Sequence, residues 1–334
     1  MIIFKLKARE IMKTIIGIQY LRAIAVILVV FTHASVMVNL SLVGATGEEG
    51  VDIFFVISGF IMAYSTRRVV ESKNKIKETQ KFLVRRFIRV VPLYWIALLW
   101  AAKLELVKNG LTLNLIQDFL FLTRLHSTGE IWPVLIVGWT LNYEIFFYIV
   151  FGLCFVFGYW RYLSLILIFS LLVLMGHIDD SNSVIKQFYT SSIILEFVLG
   201  IGVYYLSNKL LLSKTNATIL ILCAIIILFK DNSGLTRAIA DGLPASMIVY
   251  SAIILFKDSS FSILNKLGEA SYSIYLFHLG IFSLLGHFLV AFKFDITQYP
   301  YLVLVLILTA LGCGLIIYNY LEKPLLQFLK SKFE

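Results

Sequence analysis

The chain has 334 residues, of which 60% are hydrophobic and only 15% charged, with a formal net charge of +9. Soluble globular chains run nearer about 45–50% apolar and 25% charged, so that class is excluded and an all-α polytopic membrane protein embedded in a lipid bilayer is expected. The basic excess then reads as the charge bias of membrane loops, with no nucleic-acid partner implied.

Ten transmembrane helices are predicted, at about 15–39, 51–66, 86–106, 138–158, 160–178, 191–207, 215–230, 243–257, 271–292 and 300–321. Each can make an ordinary or a short tilted crossing of a ~30 Å hydrocarbon core. The second, seventh and eighth are short enough to be tilted or partly re-entrant. The first is too long for a cleaved signal peptide and lacks a small-x-small site after it; Met1 and Met12 are both acceptable starts. No linker, repeat or low-complexity tract divides the chain, so residues 1–334 read as one integral domain. Cys154, Cys223 and Cys313 lie in apolar runs without paired spacing and read as packing residues.

The loops alternate in charge. Lys5, Lys7, Arg9 and Lys13 precede the first span, and loop 67–85 carries Arg67, Arg68, Lys73, Lys75, Lys77, Lys81 and Arg85. Loop 40–50 has only Glu48 and Glu49, and loop 179–190 sets Asp179 and Asp180 against Lys186. The 29 basic residues split into about 21 on one side, about 7 on the other, and Arg22 within the membrane. That bias puts both termini in the cytoplasm, as an even span count requires.

Within the first span, "LRAIAVILVVFTHA" carries Arg22 and His33. Eleven residues advance a helix by about 1100°, close to three full turns, so the two share a face about 16 Å apart along the axis. Snorkelling arginines and hydrogen-bonded lone histidines are common, but co-facial placement at two depths favours a lined route. In "GEEGVDIFFVISGF" the second span receives Asp52 and Ser58, with an interfacial acid as the alternative for Asp52. "FLVRRFIRVVPLYW" gathers Arg85, Arg86 and Arg89 on overlapping helical positions. Guanidinium groups suit phosphate, whereas plain flanking charge is the simpler reading of this segment alone.

"GWTLNYEIFFY" starts with Trp139 and puts Glu144 inside the fourth span, with Tyr148 one turn on. "EASYSIYLFH" aligns Ser271, Tyr275 and His278 at i, i+4 and i+7. Either set could be interhelical glue. "NYLEKPLLQF" closes the last span with Glu322, Lys323 and Pro324, in a mainly structural role. No zinc spacing, phosphate-binding glycine loop or serine elbow accompanies these groups, so chemistry without metal is expected.

Taken together, "LRAIAVILVVFTHA" with its R-x10-H, "GVDIFFVISGF", "RRFIRVVPLYW", "GWTLNYEIFFY", "SYSIYLFH" and the terminal "EKP" resemble the acyltransferase-3 family over about residues 15–325. Within that family the chain looks most like exopolysaccharide and O-antigen O-acetyltransferases. The resemblance implies transfer of an acyl group, most often acetyl, from cytosolic acyl-CoA across the inner membrane to a hydroxyl of an extracytoplasmic or lipid-linked glycan. It implies that His33 is catalytic with Arg22 as its partner. By the same resemblance Arg86 and Arg89, flanked by Arg85, receive the phosphates of acetyl-CoA. The resemblance also makes Glu144 a supporting residue of the cavity, and Asp52, Ser58, Trp139, Tyr275 and His278 are expected to support the cavity beside it. Thr140 stands where the family usually has serine, keeping the hydroxyl. No soluble esterase-like domain follows the last span, so the acceptor is expected to be met at the membrane face, with glycan-assembly enzymes as collaborators. The alternatives are a transporter or flippase of a lipid-linked sugar, which polar groups at depth would equally suit, and an acyltransferase with another donor such as succinyl-CoA.

Overall fold

The structure is a computed structural model that describes residues 15–40, 49–123, 132–178, 183–210, 212–228, 234–291 and 299–333. Lys5, Lys7, Arg9, Met12, Lys13, Glu48, Asp179 and Asp180, used above to argue start and orientation, lie outside the described residues. Among the described residues there are helices and turns and no strand. The principal helices are α1 (Ile16–Met37), α2 (Glu49–Ser65), α3 (Lys75–Ala101) and α4 (Gly138–Leu153). They continue with α5 (Arg161–Ile178), α6 (Ile194–Lys209), α7 (Lys214–Leu228) and α8 (Leu243–Leu255). The chain ends with α9 (Ser262–Ala291), α10 (Leu302–Ile317) and α11 (Lys323–Phe333).

Seven helical stretches among the described residues are long and apolar enough to cross a membrane, and α7 is a shorter apolar helix. The 41-residue stretch Gly138–Ile178 would be about 61 Å long if straight, twice a ~30 Å core. It is not straight: Gly158, at φ +55°, breaks it between α4 and α5. A side chain at that φ would be strained, which is why glycine sits there. The protein is therefore a multi-pass membrane protein whose outer surface is apolar, with Leu171, Leu174, Leu304 and Leu308 all exposed. Such a surface is a liability in water and the expected one in lipid.

Two boundaries differ from the sequence expectation. The third span was placed at 86–106, but α3 starts at Lys75 and ends at Ala101. Asn74 caps it, its side chain accepting from the Lys77 N–H and so satisfying one of the orphan donors of the first turn. The Lys/Arg-rich half is thus helix rather than loop, and it carries Arg86 and Arg89 into the bundle from outside. The ninth span likewise begins at Ser262, nine residues before the expected 271, because hydropathy marks where lipid begins and not where a helix does.

α1 is central and packs against α2, α8, α9 and α10. α2 and α6 cross at glycine on both sides: a Cβ on Gly59 would stand 2.0 Å from the Phe197 carbonyl oxygen, and one on Gly200 2.0 Å from that of Val56. Only hydrogen lets the backbones meet this closely. Cys154 is buried, while Cys223 is exposed on the outer surface rather than packed.

Candidate active site

A cavity of about 710 Å³ opens among α1, α2, α3, α4 and α9. Val51 and Ser65 both line it and stand roughly 21 Å apart along α2, so the cavity runs along most of that helix. Its residues fall into a basic end and a hydroxyl-lined end, since α1 and α2 run antiparallel.

The basic end holds Arg22, Arg86 and Arg89 together with Arg67 and Arg68. Arg22 makes no hydrogen bond or ion pair with the described residues. Arg86 lies against the rings of Phe82 and Tyr148, 5.7 and 5.8 Å from their centroids, and its buried Nε has no hydrogen-bond partner among the described residues. Such contacts stabilise a cation without neutralising it. Arg89, by contrast, is paired: its Nη1 donates to Glu322, which also accepts from Ser273. Glu322 sits in a π-helical turn, Tyr318–Glu322, between α10 and α11. It is 1% exposed, so the residue read from sequence as structural is also the counter-ion of a cavity arginine. Arg85 is exposed and does not line the cavity. Arg22 and Arg86 thus stand beside the paired Arg89 without a carboxylate hydrogen-bonded to them among the described residues, and guanidinium forks are donors of the geometry that suits phosphate.

Midway, Glu144 accepts hydrogen bonds from Ser58 Oγ at 3.1 Å and from the Tyr148 hydroxyl. All three residues line the cavity. At the far end Thr140 Oγ1 and Tyr275 Oη are 2.7 Å apart, and both hydroxyls reach the Val137 carbonyl. Ser271, one turn before Tyr275, lines the same wall.

His33 is not a lining residue. A Cβ on Gly50 would touch Ala25 and Val29, which puts the cavity's far end level with that part of α1, and His33 one turn, about 6 Å, beyond it. The link between them is His278, fully buried, whose ring centroid is 6.2 Å from that of Tyr275 and 5.0 Å from that of His33. His278 Nδ1 is 2.8 Å from the Tyr275 carbonyl oxygen, and its Nε2 is 3.2 Å from His33 Nδ1. A carbonyl only accepts, so His278 carries its proton on Nδ1 and its Nε2 accepts. His33 Nδ1 faces that nitrogen and the Val29 carbonyl at 2.9 Å, two acceptors, so it carries the proton and leaves His33 Nε2 with the lone pair. The network assigns these tautomers. Together the Val29 carbonyl and His278 hold the His33 ring in one orientation.

Asp52 and Trp139 belong to a different cluster. Asp52, 1% exposed, takes Nε and Nη2 of Arg237 at 2.9 and 3.2 Å, and Arg237 Nε lies 3.8 Å from Glu196, which is fully buried. The Arg237 guanidinium stands 5.9 Å from the Trp139 ring. This group ties α2, α6 and the segment before α8 together, outside the cavity lining. Arg237→Met strands two buried carboxylates, a change that costs about 3–5 kcal/mol. The melting temperature of the purified variant is expected to fall, and an unchanged one would mean that the carboxylates do not need that cation.

Arg237, Glu196, Arg67 and Arg68 went unmarked as site residues in the sequence reading. The sequence signal that could have pointed to Arg237 is Asp52 itself, an acid at the start of an apolar span that needs a cation if it is buried.

A helical membrane bundle with an arginine-lined cavity and a histidine pair behind its far wall is an arrangement met in membrane enzymes and carriers. Residues 15–319 match the acyltransferase domain of the acyltransferase-3 family, and the chain belongs to that family. It is a membrane acyltransferase, which removes the transporter alternative. The chain is also 33% identical over 302 residues, 84% of its length and 90% of the relative's, to the exopolysaccharide production protein ExoZ of Rhizobium meliloti (strain 1021). No solved structure matches it.

Proposed function

We propose that this acyltransferase moves an acetyl group from cytosolic acetyl-CoA to a hydroxyl of a cell-envelope glycan of the exopolysaccharide type. The observation that carries the reading is the single cavity joining Arg22, Arg86 and Arg89 at one end to the Tyr275–His278–His33 line at the other. The name of the ExoZ relative supports the acceptor class. In this reading there are ten spans in the inner membrane, both termini are cytoplasmic, and the basic end of the cavity opens to the cytosol.

The arginines hold the donor's phosphates, and the slender pantetheine arm extends along the cavity toward Thr140 and Tyr275. The sugar hydroxyl arrives from the opposite side. His33 Nε2 takes its proton, the oxygen attacks the thioester carbonyl, the C–S bond breaks, and the departing thiolate is protonated as free coenzyme A. General-base catalysis of this type contributes about 10²–10⁴-fold. An acyl-imidazole on His33, formed by attack of Nε2 itself, uses the same geometry in two steps. Glu144, held by Ser58 and Tyr148, balances the positive end.

The test is mass spectrometry of envelope polysaccharide from cells with and without the protein, beside turnover of labelled acetyl-CoA by the purified protein. Loss of acetyl groups from the glycan and His33-dependent turnover are expected. An unaltered glycan and an inert purified protein would remove the reading.

A further inference from the structure

We propose that a second, smaller cavity is a binding site for a phosphate monoester, serving the same donor; the donor assignment rests on the reading above. This cavity, of about 280 Å³, has Arg22 and Arg89 on its inner wall, Lys323, Gln327 and Lys330 on another, and Glu269 beside them. Arg22 and Arg89 also line the large cavity, so the two chambers meet at a shared pair of guanidiniums.

The outer wall follows from helix periodicity. Lys323, Gln327 and Lys330 are at i, i+4 and i+7 of α11, which places them on one face, and α11 packs on α3, the helix that supplies Arg89. The two lysines and Gln327 are exposed, with side chains long enough to close on a ligand. The charge can be summed from these residues: Arg22, Arg89, Lys323 and Lys330 give four positive charges, and Glu269 and the Arg89 partner Glu322 remove two. Glu269 is partly occupied by the Tyr318 hydroxyl, 3.4 Å away. The balance of about two positive charges matches the charge of about −1.5 to −2 on a phosphate monoester near pH 7. Arginine forks with lysine point charges are the donors such a group takes.

Coenzyme A carries a diphosphate between its pantetheine and adenosine parts and a separate monoester on the ribose 3′ oxygen. A donor with its arm in the large cavity therefore needs a second set of cations near the first, on the solvent side. The smaller chamber adds Lys323 and Lys330 to the arginine pair that it shares with the large one. The same chemistry exists in the headgroup of phosphatidic acid, so the experiment separates the two sources.

Wild type and the Lys323→Gln/Lys330→Gln double variant are compared as full chains in neutral-lipid nanodiscs, with binding of coenzyme A and 3′-dephospho-coenzyme A measured. Wild type is expected to prefer coenzyme A by about tenfold or more, as charge-assisted hydrogen bonds imply. The double variant is expected to bind both at the wild-type dephospho level. If the preference is intact but stabilisation by added phosphatidic acid disappears in the variant, the site holds a lipid phosphate. If neither changes, no phosphate site exists there and the proposal is overturned. Wild type binding neither coenzyme would instead overturn the donor reading, and the phosphatidic acid arm alone then decides the smaller cavity.

Discussion

His33→Ala is expected to abolish acyl transfer while leaving donor affinity nearly unchanged. The separation follows from position. His33 lies outside the cavity lining, one helical turn past its far end, so its removal takes nothing from the arginine end, where the proposed donor's charge would sit. What is lost is the lone-pair nitrogen that the His278 contact at 3.2 Å and the Val29 carbonyl at 2.9 Å hold in one tautomer. A general base of this kind is worth about 10²–10⁴ in rate. Turnover of labelled acetyl-CoA in proteoliposomes, with donor titration by calorimetry, measures both quantities. Substantial residual turnover would exclude His33 as the base. An equal loss of donor binding would make it a binding residue instead.

The second expected result is that Arg86→Ala and Arg89→Ala fail in different ways, although the two sit three residues apart on α3. Among the described residues Arg86 has no acidic hydrogen-bond or ion-pair partner and lies against the Phe82 and Tyr148 rings, so its loss strands no charge there. The donor is expected to bind more weakly by about 1–3 kcal/mol, or about 5- to 150-fold, with the fold intact. Arg89→Ala removes the cation that neutralises Glu322, itself 1% exposed. An uncompensated buried charge costs about 3–5 kcal/mol, so this variant should lose folded protein first. Adding Glu322→Gln should restore thermal stability but not donor affinity. Thermal melts and calorimetry on the three proteins decide the matter. Unchanged donor affinity in Arg86→Ala would remove the phosphate assignment.

The periodic features were legible because an α-helix converts spacing into direction. Arg22 and His33 were expected on one face of α1, and that face does meet the line from the cavity through Tyr275 and His278. Ser271 and Tyr275, read as a stripe, line one wall of the same cavity. The resemblance of six short motifs to the acyltransferase-3 family agrees with the match over residues 15–319. The limits of α3 and α9 were less legible, since both helices continue past the apolar residues that announced them.

Partners across the bundle could not be read. Arg89 and Glu322 are 233 residues apart, Arg237 and Asp52 are 185 apart, and Ser58 and Glu144 are 86 apart. Grouping Arg85 with Arg86 and Arg89 was reasonable by spacing, yet a step of one residue turns a helix by about 100°, and Arg85 is exposed while Arg86 lines the cavity.

By itself the sequence determined the solvent, the helical class, the family and the faces on which Arg22, His33, Tyr275 and His278 stand, because hydropathy and a 3.6-residue period are local properties of the chain. Only the tertiary structure decided which arginines are neutralised, that Asp52 serves an ion pair rather than the cavity, and that His278 orients His33. Those depend on which helices touch, and contacts between helices far apart in the chain leave no spacing to read.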